Sequence, residues 1–325
     1  MVRRVLLVLL GAFLIVGGAQ ADAAEYPSKV ITIIVPFSAG GPSDTVARLL
    51  AQTMSGPLKT QVIVENVAGA GGTIGAARVA QAPPDGYTLF VHHIGHATAP
   101  ALYRKLTYNP VTDFEPVGII NDGAMTLVAR KDFPVKNLKE LIAHVKANKD
   151  KVNMANAGVG SASHLAGLLF MSEIETDLTT IPYKGTGPAM NDLLGGQVDF
   201  MIDQTTNTTS HIKAGKIQVY AVTTAQRLAS MADVPTMHEA GLPNYKMTVW
   251  HALYAPKGTP KPIIEKLSQA LQEALKDANL KQRYAELGAE AVPQDRATPA
   301  ALGAHLKAEI EKWGPIIKKA GVYAD

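Results

Sequence analysis

The sequence predicts an α/β protein built from two lobes, each a doubly wound and mainly parallel sheet. Short apolar runs rich in β-branched residues alternate with helical patterns along the chain, which is typical of parallel sheets covered by helices. The chain has 325 residues, more than one hydrophobic core usually holds. The sequence shows neither a repeat of fixed period nor a glycine- and serine-rich linker. We therefore expect strands that cross between the lobes to join them.

Composition argues against several classes of protein. Hydrophobic residues make up 47% of the chain and charged residues 18%, as in an ordinary globular protein. The formal net charge of +3 lacks the basic excess of nucleic-acid-binding proteins, so no nucleic-acid partner is expected. The chain contains no cysteine, which excludes disulfide bonds, thiolate catalysis, iron–sulfur clusters, cysteine-based zinc sites and a lipid anchor on cysteine.

The N-terminus has the order of a secretory signal. Arg3 and Arg4 precede an apolar run over residues 5–19, and small residues at 19, 21 and 23 provide two cleavage sites. The alternative, a transmembrane anchor, needs about 20 apolar residues, which is more than this run supplies. We therefore predict that residues 1–23 are a signal peptide. The mature chain is expected to work in a bacterial periplasm, where nicotinamide cofactors and ATP are not available. It is not expected to be embedded in the membrane.

The N-terminal part of the mature chain predicts three strands and two helices. A glycine-rich turn follows the first strand, and Ser43 or Asp44 can cap the helix after it, over 44–54. A second helix over 73–82 ends at a turn containing two prolines. The short apolar runs that predict buried strands cover residues 30–36, 62–65 and 87–92.

The rest of the chain continues the alternation. An extended segment over 117–131 precedes a helix that Asn137 caps, with apolar residues at 138, 141, 142 and 145. Further strands are predicted over 152–156, 179–182, 198–202, 218–223 and 247–255. Further helices are predicted over 163–173, 188–194, 262–275 and 299–313, the last one interrupted by Gly314-Pro315.

Three glycine-rich corners between a strand and a helix are candidate anion sites. Glycine lets the backbone present its N–H groups, and the start of a helix carries a partial positive charge. One such corner is also an ordinary turn, but a carboxylate accepts up to about four hydrogen bonds, so several corners together favour carboxylate binding. The candidate binding residues are Phe37, Ser38, Ala39, Gly40, Gly41 and Asp44 at the first corner, Gly160, Ser161, Ser163 and His164 at the second, and Thr186 at the third.

Polar side chains elsewhere extend the candidate site. Asp203 follows a buried strand, where it can accept a hydrogen bond from a hydroxyl or ammonium group of a ligand, or equally cap the next helix. A group of closely spaced histidines is a candidate metal site: His92, His93 and His96. Neighbouring residues of a strand point to opposite faces, so at most two of these imidazoles converge easily. We therefore expect no metal, and we assign His93 and His96 to the lining of a polar pocket, with a structural role as the alternative.

Enzyme signatures are weak. Two segments, beginning at Gly69 and Gly158, partly match the dinucleotide-binding motif Gly-x-Gly-x-x-Gly. Each segment lacks the third glycine of that motif. The sequence has no Gly-x-Ser-x-Gly nucleophile elbow and no phosphate-binding P-loop. We therefore predict no cofactor and no catalytic residue.

Several motifs together resemble the Bug-type solute-binding proteins of tripartite tricarboxylate transporters. The likeness covers nearly the whole mature chain. It rests on Tyr26-Pro-Ser-Lys-Val-Ile-Thr-Ile-Ile-Val-Pro-Phe-Ser-Ala-Gly-Gly-Pro-Ser-Asp44, Val64-Glu-Asn-Val-Ala-Gly-Ala-Gly-Gly-Thr-Ile-Gly75, Pro84-Asp-Gly-Tyr-Thr-Leu89, the stretch from Gly158 to His164, Pro182-Tyr-Lys-Gly185, Asp192-Leu-Leu-Gly-Gly-Gln-Val-Asp199, Asp233-Val-Pro-Thr236 and Ala255-Pro-Lys-Gly-Thr-Pro260.

The resemblance implies a two-lobed "Venus flytrap" of the periplasmic binding protein type, with two crossing strands. We expect residues 24–125 plus 251–325 in one lobe and residues 126–250 in the other. It also implies that the protein captures a carboxylated solute and hands it to a two-component membrane permease. The family holds the carboxylate by loops that correspond to residues 37–44 and 158–164, and it often contacts the distal part of the ligand at the position of Asp203.

One stretch departs from the family. Many members read Thr-His-Ala-Ile-Asn-Pro where this chain reads Gly95-His-Ala-Thr-Ala-Pro100, and His92-His93 precedes it. Imidazoles that face a pocket suit an aromatic ring or a second carboxyl group, so we expect a dicarboxylic or aromatic carboxylic acid. Two other functions stay open: a periplasmic acid–base enzyme that uses His93, His96 or His164 with Asp203, and an adaptor whose closed form docks a sensor kinase.

Overall fold

The computed structural model describes residues 26–321 and 323–324 of the chain. The predicted signal peptide, residues 1–23, lies outside the described residues. The strands are β1 Ile31–Val35, β2 Val62–Asn66, β3 Thr88–His93, β4 Phe114–Gly123, β5 Met125–Arg130, β6 Asn153–Asn156, β7 Thr179–Pro182, β8 Phe200–Gln204, β9 Ile217–Val222, β10 Val249–Pro256 and β11 Ala289–Ala291. The helices are α1 Pro42–Leu58, α2 Thr73–Ala80, α3 Gly95–Leu102, α4 Leu138–Ala147, α5 Ala162–Glu173, α6 Thr186–Leu194, α7 Thr205–Lys213, α8 Lys261–Ala274, α9 Ala278–Glu286 and α10 Pro299–Ala320.

The strands form two sheets, which confirms the predicted two-lobed α/β fold. The first sheet has the order β11-β4-β10-β3-β1-β2 and the second the order β7-β6-β8-β5-β9. Parallel pairing joins β1 to β2 and β3 in the first sheet, and β6 to β7 and β8 in the second. The strands near the crossings run the other way: β10 is antiparallel to β3 and β4, and β5 is antiparallel to β8 and β9.

The chain passes between the sheets twice. β4 ends at Gly123 in the first sheet, and β5 begins at Met125 in the second. After β9 the chain returns to the first sheet at Val249, where β10 begins. We call the part built on the first sheet the first lobe and the part built on the second sheet the second lobe. Their division at residues 125–126 and 250–251 stays our proposal.

Burial explains why the central strands are so apolar. All eight residues of β10 are buried, and four of the five residues of β1 are buried. A strand covered on both faces by helices has no solvent-facing side and therefore shows no alternation of polar residues. Among the described residues, no helix combines the length and the apolar character that crossing a membrane requires.

The C-terminal helix differs from the prediction. α10 continues through Gly314-Pro315 to Ala320 instead of stopping near residue 313. Trp313 and Ile317 lie on one face of this helix and are both buried in the core. Packing of that face evidently outweighs the hydrogen bond that proline removes from a helix interior, a loss of roughly 3 kcal/mol.

Candidate functional site

A small cavity lies between the lobes, where β1, β3, β6 and β8 end. Its volume is about 20 Å³, which is room for about one water molecule. Pockets that hold drug-sized molecules begin at about 300 Å³, so a bound molecule must move the closed walls apart, and the lining groups, not the volume, indicate its chemistry. It is lined by Phe37, Gly41, Pro42, Ser43 and His93 of the first lobe and by Ala157, Ala162, Ser163, Thr186, Asp203 and Gln204 of the second.

Two helices from different lobes begin at the cavity without a side-chain cap. α1 starts after Gly41 and α6 starts after Gly185, and neither of these N-cap glycines provides a side-chain cap. Pro42, the first residue of α1, has no N–H, so the free donors of that helix begin at Ser43. The first-turn N–H groups have no carbonyl partner inside their own helix, and they concentrate the positive end of the helix dipole. A Cβ atom added at Gly41 would lie 3.4 Å from the backbone nitrogen of Gly187, so the two helix starts are close neighbours. The pair can grip one anion from both lobes.

His93 contributes a neutral donor. Its Nδ1 accepts a hydrogen bond of 2.9 Å from the N–H of Gly95, and its ring stacks on Phe37 with 4.8 Å between the centroids. Burial, followed by the nearby His251, holds the pKa of His93 well below its usual value. The neutral imidazole therefore carries its proton on Nε2, where it can donate to a carboxylate oxygen.

Ser43 was not predicted as a binding residue, although it follows Gly41-Pro42 directly. Its hydroxyl lies 3.1 Å from Nε2 of His251, which is fully buried on β10. Burial lowers the pKa of His251 to about 3, so this imidazole is neutral as well. Serine in the first turn of a helix that follows two glycines and a proline is the sequence signal that could have identified this position.

Asp203 lies at the second-lobe end of the cavity and is 1% exposed. Its Oδ2 accepts a hydrogen bond of 2.6 Å from the side-chain amide of Asn207 on α7. Burial raises the pKa of Asp203 to about 6. Hydrogen bonding from the Asn207 side chain, the Gln204 backbone and the Thr186 side chain limits the rise of this pKa. The neighbouring Gln204, which also lines the cavity, was missed because it ends a buried strand and carries no charge.

The lobes touch each other directly. The N–H of Ser38 in the first lobe donates to the carbonyl oxygen of Lys184 in the second, at 2.9 Å. The hydroxyl oxygen of Tyr103 lies 2.7 Å from the carbonyl oxygens of Ala70 in its own lobe and Val159 in the opposite lobe. The described arrangement is therefore closed, with direct hydrogen bonds across the gap.

Several residues that we predicted to bind the ligand do not line the cavity. Ser38, Ala39 and Gly40 line a separate, more open groove of about 390 Å³, not the cavity of about 20 Å³. Gly160, Ser161 and His164 close the second corner on itself: the Gly160 N–H donates to the His164 imidazole, and the His164 N–H donates to the Ser161 hydroxyl. Six of the residues that we predicted to bind the ligand do line the cavity: Phe37, Gly41, His93, Ser163, Thr186 and Asp203.

His96 does not reach the cavity. It is fully buried on α3, with its ring against the rings of Phe90, Tyr108, Phe114 and Tyr254. The sequence predicted a strand that ends at residue 92 and no helix directly after it. A helix begins at Gly95 instead and turns this imidazole into the aromatic core of the first lobe.

Asp44 holds the first corner in shape instead of facing a ligand. Its Oδ2 accepts from the Gly40 N–H and from Arg48 Nε, both at 3.0 Å, and its Oδ1 accepts from Asn66 at 2.9 Å. Burial raises the pKa of Asp44, but the hydrogen bonds from Arg48, Gly40 and Asn66 outweigh it and leave the pKa below its usual value. Asp44 is thus a positioning residue for the loop that carries Gly41.

Replacing Asp44 with alanine should lower the free energy of unfolding by about 2 kcal/mol at pH 7, because three donors lose their buried acceptor. A carboxyl whose pKa is depressed in the folded state stabilises the fold above its unfolded pKa of about 4, and loses that effect as the pH falls through its folded pKa. Urea unfolding should therefore show a smaller difference between wild type and Asp44→Ala at pH 3. An equal difference at both pH values would contradict this role.

In the described part of the chain, no three histidine, aspartate or glutamate side chains are placed to share a metal ion. The cavity wall consists of helix starts, hydroxyl groups, a neutral imidazole and one carboxyl group. These groups can bind and orient an anion through hydrogen bonds.

Comparison with known proteins identifies the family that the sequence motifs resemble. Residues 46–322 match the family described as the tripartite tricarboxylate transporter family receptor. An Agrobacterium vitis protein named "UPF0065 protein in the TAR-I ttuE-ttuC' intergenic region" is 52% identical over 98% of this chain and 92% of its own length.

Solved structures agree in fold. The periplasmic binding protein BugD is 50% identical and superposes with a TM-score of 0.90, over 92% of this chain and 99% of its own. MatC from Rhodopseudomonas palustris, solved with bound malate, is 41% identical with a TM-score of 0.87, over 90% of this chain and 100% of its own. The chain therefore belongs to the Bug-type receptors of tripartite tricarboxylate transporters, a family of periplasmic solute-binding proteins.

Proposed function

We propose that this protein captures a small dicarboxylic acid between its lobes and delivers it, unchanged, to a two-component membrane permease. One observation carries the proposal: the uncapped starts of α1 and α6, which belong to different lobes, meet at the cavity. An anion at that position accepts hydrogen bonds from both lobes only when the lobes are closed. Its stronger binding to the closed form shifts the population toward closure, which a permease can recognise.

The lining of the cavity supports an anionic ligand. The described residues that line it include no lysine or arginine, so the anion would be held by backbone N–H groups, hydroxyl groups and the His93 imidazole. The predicted dicarboxylic and aromatic classes both stay part of the test. MatC, which was solved with bound malate, supports the dicarboxylic class.

The three histidines considered as bases are not suited to acid–base catalysis in the cavity, which supports binding without turnover. A general base works best with a pKa near the operating pH, and burial holds the pKa of His93 well below that. His96 and His164, the other candidate bases, do not line the cavity. Asp203, with a pKa of about 6, is the group of the cavity wall that can exchange a proton near neutral pH, so the test below also follows chemical conversion of the acid.

A thermal-shift panel on the mature protein tests the proposal. We expect four- to six-carbon dicarboxylates to raise the melting temperature, because ligand at 100 times its Kd adds about 2.7 kcal/mol to the stability. The panel should include mono- and tricarboxylic acids, an aromatic diacid, and the uncharged diamide of each active acid as its control. Acids recovered after incubation should be unchanged. Equal shifts by acid and diamide, or chemical conversion of the acid, would contradict the proposed function.

A further inference from the structure

Asp203 gives the cavity an unbalanced negative group. It is the one acidic side chain among the described residues that line the cavity, and no cationic side chain lines it. The carboxyl group is buried, and one of its oxygens is held by Asn207 at 2.6 Å. Burial of a carboxylate without a cationic partner disfavours its ionised form, and a second carboxylate nearby disfavours it further.

The other groups around Asp203 do not supply a positive charge. His93 on β3 and His251 on β10, behind Ser43, are buried imidazoles whose pKa values lie below the usual value, mainly because of that burial. The remaining polar groups that face the cavity or Asp203 are uncharged: Ser43 on α1, Ser163 on α5, Thr186 on α6, Gln204 on β8 and Asn207 on α7.

Two kinds of four-carbon diacid therefore meet Asp203 differently. If one carboxylate lies at the starts of α1 and α6, the rest of the molecule extends toward Asp203 within the same small cavity. A hydroxyl or ammonium group on the ligand can donate a hydrogen bond to the ionised carboxylate. Both kinds of acid bring a second carboxylate, but a plain diacid brings no donor that stabilises the ionised form of Asp203, so one of the two facing carboxyl groups must take a proton.

We propose that Asp203 is a proton-linked specificity residue: a plain dicarboxylate binds only together with one proton, whereas a hydroxy or amino diacid binds without proton uptake. This inference rests on the proposed function and names the chemical difference that the cavity distinguishes. The proton comes from solvent and is shared between Asp203 and the ligand carboxylate that faces it. Because burial already places the pKa of Asp203 near 6, a modest further rise is enough to protonate the pair near neutral pH.

Isothermal titration calorimetry with succinate and malate tests this, since the two acids differ by one hydroxyl group. Titrations near pH 7.5 in two buffers of different ionisation enthalpy give the number of protons taken up. We expect close to one proton for succinate and close to none for malate. The affinity for succinate should fall about tenfold for each unit of pH rise, whereas the affinity for malate should stay nearly constant.

The variant Asp203→Asn keeps the size of the side chain and removes the titrating group. It should abolish proton uptake with succinate and make succinate binding independent of pH, while Asp177→Asn, an exposed position in the same lobe, should behave like wild type. Succinate binding without proton uptake in wild type, or uptake that persists in Asp203→Asn, would overturn the inference and leave carboxylate capture standing. If neither acid binds wild type, the inference is overturned, whereas the proposed function fails only if no dicarboxylic acid of the thermal-shift panel binds.

Discussion

Gly41→Leu is expected to weaken dicarboxylate binding at least about 100-fold, a loss of about 2.7 kcal/mol, while the protein still folds. The first atom of any side chain at this position already lies 3.4 Å from the Gly187 nitrogen and 3.6 Å from the Thr186 hydroxyl. The rest of a leucine must therefore project between the two helix starts, where the carboxylate is to bind. Calorimetry with the strongest acid of the panel measures the loss.

Gly41→Ala is the matched control for that variant. The backbone of Gly41 has φ of −88°, which any residue adopts, and a single Cβ at 3.4–3.7 Å is in tolerable contact with its neighbours. Alanine should therefore keep most of the affinity, and circular dichroism should show the same fold for both variants. Wild-type affinity in Gly41→Leu would show that the ligand does not lie between α1 and α6.

Gly187→Ala should weaken binding at least about tenfold, a loss of about 1.4 kcal/mol, although residue 187 does not line the cavity. A Cβ at this position would lie 2.6 Å from the carbonyl oxygen of Ala39 in the opposite lobe, which is too close for the closed form. In the open form the clash is absent, and alanine is the better helix former. The melting temperature without ligand should therefore stay the same or rise, while the ligand-induced shift decreases.

Gly303→Ala provides the comparison, because it makes the same exchange within a helix of the first lobe. Its added Cβ would meet only Pro116, at 3.8 Å, which is ordinary contact. Both variants gain helix propensity, but only Gly187→Ala interferes with the opposite lobe. Equal ligand affinity in the two would indicate that the closed arrangement is not the binding form.

The fold could be predicted in large part because its signals are local. Runs such as Ile31–Val35 and Val249–Pro256 are buried on both faces and therefore read as continuous apolar strands. The helix Gly95–Leu102 gave no such signal, since it is buried around most of its surface and contains a proline. The end of α10 was also missed, because the burial of Trp313 and Ile317 is a tertiary effect that no local rule includes.

The site was predictable to the extent that backbone chemistry determines it. Glycines before a helix indicated Gly41 and the region of Thr186, both of which line the cavity. Side-chain roles were harder, because they depend on which partner a polar group finds in the folded chain. Asp44 accepts hydrogen bonds from Gly40 in the preceding loop, Arg48 on α1 and Asn66 at the end of β2, and so it does not line the cavity.

The most direct test of the account is a crystal structure of the protein with the acid that gives the largest thermal shift. The account predicts a closed form in which one carboxylate accepts hydrogen bonds from the first-turn N–H groups of both α1 and α6, with the distal end of the acid toward Asp203. A carboxylate bound by lysine or arginine side chains, or an acid located outside the cavity between the lobes, would contradict it.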